Sequence, residues 1–259
     1  MDADLLVGGI FGALGLLFGS FLNVCILRLP KQESIVSPPS HCPGCGAGIA
    51  WYDNIPVLSW LMLRGRCRHC RTAISPLYPT IELTTGLIWF ACGFHWGITL
   101  AALKAVVFFT ILLGITMTDA REYIIPDEFS IGGLVFGLLF SLPGGVPEVG
   151  RALLGASVGF GGLWAVGALG TMMFKKEAMG GGDIKMMAMV GAFVGWQGVL
   201  LTIFLGALLG SLIFVPLQLF RRDRQKEVPF GIFLSLGAAT TYLIGSAIIG
   251  WYTRYLGAA

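Results

Sequence analysis

Apolar runs long enough to cross a bilayer recur down almost the whole chain, and they rule out most ways of folding it. A hydrocarbon core about 30 Å thick is crossed by roughly 20 apolar residues in a helix. Inside that core each backbone N–H and C=O must find its partner within the protein, so segments of this kind cross as helices. The charge content agrees: 12% of residues are charged and 56% hydrophobic, with a mean hydropathy of +0.81, against about 25% charged in soluble domains. The expected fold is all-α and polytopic, with about eight transmembrane helices near residues 5–27, 78–94, 98–118, 129–142, 151–174, 184–195, 199–220 and 230–251. The fourth and sixth are short enough to be half-spans, tilted pieces or segments packed inside the bundle. The first is not expected to be a cleaved signal. It opens with Asp2 and Asp4 where a signal peptide is basic, and Gly19-Ser20-Phe21-Leu22-Asn23 runs on without a small-residue cleavage site.

Charge then orients the bundle. With eight spans, the alternate loops 28–77, 119–128, 175–183 and 221–227, together with Lys185, collect 14 of the 17 Lys and Arg residues. Such an excess marks the cytoplasmic side. Lys104, Arg151 and Arg254 fall toward the other side, which also receives both termini. The expected organisation is a first transmembrane helix (1–27), a cytoplasmic cysteine-rich insert (28–77) and a transmembrane bundle (78–259).

The insert holds six basic and two acidic residues, with prolines at 38, 39, 43, 56 and 76. About fifty such residues bury too little apolar surface to fold unaided; domains of this size use a metal or disulfides. Cys42, Cys45, Cys67 and Cys70 form a C-x2-C-x21-C-x2-C pattern, the spacing of two knuckles closing a tetrahedral zinc site. Disulfides are disfavoured on the reducing side, so a structural zinc is the expectation, with a redox-active dithiol pair as the alternative. Four thiolates complete a site by themselves, which leaves His41 and His69 beside it or in solvent. Cys25 and Cys92 lie within spans and are read as small buried hydrophobes.

Two carboxylates are hard to explain as loop residues. Asp119 ends the uncharged run 108–117, and Asp183 follows Gly180-Gly181-Gly182. An acid at membrane depth is expensive. The glycines let the backbone unwind or approach a substrate closely, which is tolerated at that depth only when protein or water satisfies it. Brought together at the inner surface, the pair would share a proton: one acid activates water and the other protonates the leaving amine, which is peptide hydrolysis by an aspartic dyad. The plainer reading is that Asp183 caps the helix starting at Ile184. Asp127 competes with Asp119 on the same loop, although its place just before a helix also suits a cap. Glu82, inside the second span, either lines the site or pairs with a basic residue of the insert. Lys185 either holds the neighbouring carboxylate ionised or extends to the inner surface.

At these residues the chain resembles the type IV prepilin peptidases, bifunctional leader peptidases and N-methyltransferases of type IV pilus and type II secretion systems. The resemblance runs through Gly19 to Val24 with Arg28-Leu29-Pro30, the first Cys pair, Asn54 to Trp60, Arg64 to Cys70 and Tyr78 to Glu82. It continues in Asp119 with Ile125-Pro126-Asp127, the G-x-G-D-x-K element Gly180 to Lys185, Gly191-Ala192-Phe193 and Pro229-Phe230-Gly231. Cys25, where an aliphatic residue is usual, and Pro76-Leu77 before Tyr78 are the departures, and neither touches the chemistry.

The resemblance implies that Asp119 and Asp183 are the catalytic pair, with Gly180 and Gly182 in the same element, and that the cysteine tetrad binds zinc. It implies a bacterial inner-membrane enzyme acting on prepilins or pseudopilins, with a scissile bond after a Gly at the inner boundary. The new amino terminus would then be methylated with S-adenosylmethionine. Residues binding that donor are not readable, since Gly180 to Gly182 follow a span and not a strand. A peptidase without methyl transfer is the nearest rival, against which the intact tetrad argues. A proton-coupled transporter would show inverted repeats, and none is found. A nucleic-acid module is not expected, because the insert's charge of about +4 follows from the positive-inside bias. The oligomeric state is not readable.

Overall fold

A computed structural model describes residues 2–176, 178–220, 229–255 and 257, with the backbone alone for residue 2 and for 215–220. The basic loop expected at 221–227 lies outside the described residues. Among them the regular structure is helical, and the only strand-like features are two isolated bridges, His41–Gly48 and Arg66–Ala73. The helices are α1 (Asp2–Arg28), α2 (Leu58–Met62), α3 (Leu77–Trp96), α4 (Leu100–Glu122), α5 (Asp127–Ser141), α6 (Gly145–Phe174), α7 (Gly181–Phe220) and α8 (Phe230–Tyr255).

Among the described residues five helical stretches are long and apolar enough to cross a membrane: Ala3–Lys31, Leu100–Glu122, Asp127–Phe174, Gly181–Phe214 and Phe230–Tyr255. The expectation of eight transmembrane helices is therefore not reached. The segments expected at 184–195 and 199–220 form one element, α7, interrupted at Gly195, whose φ of 74° and ψ of 174° are not helical. The segments expected at 129–142 and 151–174 are joined by a 3-10 turn, Leu142–Gly144, into one long run. α3 falls outside the five because Thr80, Glu82, Thr84, Thr85 and His95 dilute its apolar content.

Two compact units divide the chain, Met1–Thr110 and Ile111–Ala259, with the boundary inside α4. In the first unit, α1 packs on α3 through Gly8, Gly12, Gly15 and Gly19, spaced to fall on one helix face. A Cβ on Gly15 would stand 2.7 Å from Trp89 Cβ, and one on Gly19 2.7 Å from Glu82 Cα. Small residues thus let two backbones meet without a hydrophobic drive from water, which the bilayer does not supply. The Trp89 indole donates to Thr110 Oγ1 (2.9 Å), tying α3 to the middle of α4.

The second unit repeats the device. Gly155 and Gly159 of α6 press on the α7 backbone at Gly191 and Met187. Gly137 of α5 faces Ala192 and Phe193, and Thr202 of α7 donates to Thr241 of α8 (3.1 Å). Its core is Met186, Met187, Met189 and Val190 of α7, all fully buried. That core fixes the first turn of α7, where Asp183 stands.

Candidate functional site

The site in the second unit begins with how α4 stops. Tyr123 takes a left-handed φ of 56° while its N–H bonds Asp119 O, and Pro126 (φ −60°, ψ 143°) starts α5 from an extended conformation. Proline cannot continue a helix from upstream, so residues 124–126 form a short extended link. The link turns Ile125 inward, 9% exposed, and leaves Ile124 outside.

Asp119, in the last turn of α4, is 6% exposed. Its Oδ2 accepts the backbone N–H of Ile232 at 3.2 Å. This is one of the N–H groups that the first turn of α8 cannot use internally, so the carboxylate closes that helix end and meets its positive pole. Gly231 is what permits the approach: a Cβ there would stand 2.9 Å from Asp119 Oδ2 and 2.9 Å from Ile125 Cδ1. On the opposite flank a Cβ on Gly182 would stand 2.9 Å from Ile125 Cβ. Ile125 is thus wedged between the first turns of α7 and α8.

Asp183 lies in the first turn of α7, which starts at Gly181, so it is not the cap of a helix beginning at Ile184. Its Oδ1 is buried with no hydrogen-bond partner among the described residues. The charge of Asp119 acts directly on it. The two acids stand on separate helices, 64 positions apart in sequence, and Ile125 links their surroundings by packing against both Gly182, next to Asp183, and Gly231, next to Asp119. An unsatisfied buried carboxylate oxygen costs free energy unless a further group binds there.

The neighbouring residues sort differently. Lys185 Nζ bonds both oxygens of Asp127, at 2.7 and 2.9 Å, and so ties α7 to α5. It is thereby engaged by Asp127, and Asp127, in the first turn of α5 after Pro126, makes no capping bond with its side chain. Gly180 leaves room for Asp183: a Cβ there would stand 3.2 Å from its Oδ2. Gly231, Ile232 and Ile125 received no role from the sequence. Their only signal was membership of the Pro-Phe-Gly and Ile-Pro-Asp elements.

In the first unit the four cysteines converge, with every pair of sulfurs within 4.8 Å. The two knuckles are built alike and 25 residues apart. Cys42 N–H bonds Ala47 O and Cys67 N–H bonds Thr72 O, both at 2.9 Å, and left-handed turns follow at Gly46 and Arg71. The Cys42 and Cys70 sulfurs are 3.8 Å apart, the edge expected of a tetrahedron with bonds of about 2.3 Å to its centre. The Thr72 hydroxyl and N–H hold the Cys70 thiol down at about 6, which favours the thiolate a metal needs. Arg68 grips Asp53 through two bonds of 2.7 and 2.6 Å and holds that carboxyl below its usual range.

Glu82 pairs with no basic residue of the insert. It is 8% exposed, and its Oε2 accepts the Val57 N–H at 2.7 Å. Val57 centres a γ-turn (φ 61°, ψ −49°) closed by Leu58 N–H to Pro56 O. This is the rare, strained form, unusual for a β-branched residue. The carboxylate holds it in place.

Two sequence-family profiles match the chain: the bacterial peptidase A24 N-terminal domain over residues 13–96 and the type IV leader peptidase family over residues 106–215. Proteins named prepilin leader peptidase/N-methyltransferase are similar to it. One from Aeromonas hydrophila is 36% identical over 267 residues, covering 93% of this chain and 92% of its own. One from Pseudomonas aeruginosa is 35% identical, covering 94% and 92%. One from Myxococcus xanthus is 43% identical over 205 residues, 79% of this chain but 58% of that relative's length. No solved structure matches.

Proposed function

The chain belongs to the type IV leader peptidase family, and from that premise we propose that Asp119 and Asp183 hydrolyse the leader of a prepilin or pseudopilin, whose new amino terminus is then methylated. The carrying observation is the buried, unpartnered Oδ1 of Asp183 in the field of Asp119. Hydrolysis by such a pair uses one ionised and one protonated acid, which share a single proton. The ionised member takes a proton from water, which attacks the scissile carbonyl. The protonated member polarises that carbonyl and then delivers its proton to the departing amine. The positive poles of α7 and α8 favour the negative charge that remains in the pair. Gly180 and Gly182 let Asp183 Oδ2 and Ile125 come close to the backbone that carries the acid, which sets its position.

The cysteine tetrad is proposed to hold a structural zinc, which the 3.8 Å sulfur edge and the shared knuckle geometry support. S-adenosylmethionine supplies the methyl: its carbon–sulfur bond breaks with the electron pair returning to sulfur as the amine forms the nitrogen–carbon bond and sheds a proton. The enzyme is placed by this reading in a bacterial inner membrane, in an eight-span arrangement with α7 counted as two segments across Gly195. The tetrad and the dyad would then both lie at the cytoplasmic boundary and both termini outside, as the distribution of Lys and Arg suggests.

The test uses purified enzyme in lipid, a full-length prepilin and labelled methyl donor, comparing wild type with Asp119→Asn, Asp183→Asn and Cys67→Ser. Either Asn variant is expected to lose cleavage while keeping its helical circular dichroism and thermal transition, because an amide cannot exchange the proton. Turnover retained by both would remove the dyad.

A further inference from the structure

The first unit contains a cleft of about 350 Å³ where α1 ends against the insert. Val24 and Arg28 of α1 line it together with Ile35, Ser40, Trp51 and Asn54. Its volume lies in the range of small-molecule sites, roughly 300–1,000 Å³. Arg28 is the singular feature. Its guanidinium donates to Ser34 O at 2.8 Å and to Pro38 O at 2.7 Å. Two neutral carbonyls hold it in position, and no carboxylate balances its charge among the described residues. A fixed guanidinium with donors to spare is a ready partner for a carboxylate. Trp51 is the other: its indole is 81% exposed, with one recorded ring contact, edge-on to Tyr52. An exposed indole beside an uncompensated cation suits a ligand with a flat ring at one end and an acid at the other.

We infer that this cleft binds S-adenosylmethionine, with Arg28 taking the carboxylate of its methionyl part and Trp51 stacking on the purine. Ser40 and Asn54 supply hydroxyl and amide groups for the ammonium and ribose, and Val24 and Ile35 form the apolar wall. The inference rests on the methyl-transfer reading above and says where in the chain that reaction draws its donor. A basic leader peptide is the wrong occupant, because the one charge lining the cleft is positive.

The experiment is equilibrium dialysis of labelled S-adenosylmethionine against the full-length enzyme in nanodiscs of neutral lipid, with no prepilin present. Trp51→Ala removes a side chain that is mostly in solvent and is expected to weaken binding about tenfold, the loss typical of one stacked base. Arg28→Lys is expected to weaken it as well, and S-adenosylhomocysteine, which keeps the carboxylate and the purine, is expected to compete. Because Arg28 also ties down residues 34 and 38, each variant is accepted only with the wild-type thermal transition and metal content. Trp51→Ala carries the test if Arg28→Lys fails that check. Binding by Trp51→Ala within twofold of wild type overturns the assignment of this cleft. So does displacement of the donor from wild type by phosphatidylglycerol but not by S-adenosylhomocysteine. No binding by wild type at all overturns the methyl-transfer reading itself.

Discussion

Each unit holds an acid in a helix, and the two acids have opposite surroundings. Glu82 of the first unit has a partner: the Val57 N–H bonds its Oε2, and the acid restrains a strained turn. Asp183 of the second unit leaves one buried oxygen without a partner among the described residues. Burial therefore does not mark a reacting carboxylate, since Glu82 is the more enclosed of the two. The inventory of partners separates these two, because Glu82 has spent a lone pair on the Val57 turn while Asp183 Oδ1 has kept its own for a ligand.

The largest expected effect would break that contrast if it failed. Asp183→Asn or Asp119→Asn should lower the leader-cleavage rate by at least roughly 10²- to 10⁴-fold, the range for loss of a positioned acid or base, with fold intact by circular dichroism. Next comes the metal. Cys67→Ser should reduce zinc per chain well below one, measured on the purified protein by atomic emission, and should impair methylation more than cleavage. Lowering the pH should release metal from wild type, because protons compete for the thiolates; full metal content in the variant would refute binding by four thiolates. Glu82→Ala should leave the Val57 N–H unsatisfied and cost about 1–3 kcal/mol in thermal or chemical unfolding. Glu82→Gln, which keeps an acceptor oxygen, should recover most of that. A Gln variant with wild-type stability and no cleavage would make Glu82 a reacting group and erase the difference between the units. The smallest effect belongs to Lys185→Met. Its ion pair with Asp127 is largely solvent-accessible, so its loss should cost less than about 1 kcal/mol. The pH–rate profile of cleavage should stay in place, whereas a shift to higher pH would show that Lys185 acts on the dyad after all.

The candidate site was legible in sequence to different depths. Asp119 and Asp183 stood out because an acid beside an apolar run has few cheap explanations, and the cysteines because thiols at that spacing have one favoured geometry. The role of Gly231 was hidden, since its value is a missing Cβ beside an acid 112 positions away. The partner of Lys185 was hidden for a similar reason. Its neighbour in sequence is Asp183, but the fold hands it to Asp127. The span count also went beyond what the helices show, because a short apolar run reads alike whether it is a separate span or one half of a kinked helix.

What the residues determined by themselves was local or additive: membrane residence from apolar run length, helical class from the need to satisfy backbone groups in lipid, and a metal-sized knuckle pair from two C-x2-C repeats. Tertiary structure alone decided which distant groups meet. It wedged Ile125 between Gly182 and Gly231, closed the α8 terminus with Asp119, gave Glu82 to Val57 and left Asp183 Oδ1 without a partner. The physical reason is that hydrogen bonds and close backbone approach act over a few ångströms in space, whereas sequence patterns report only periodicity along the chain.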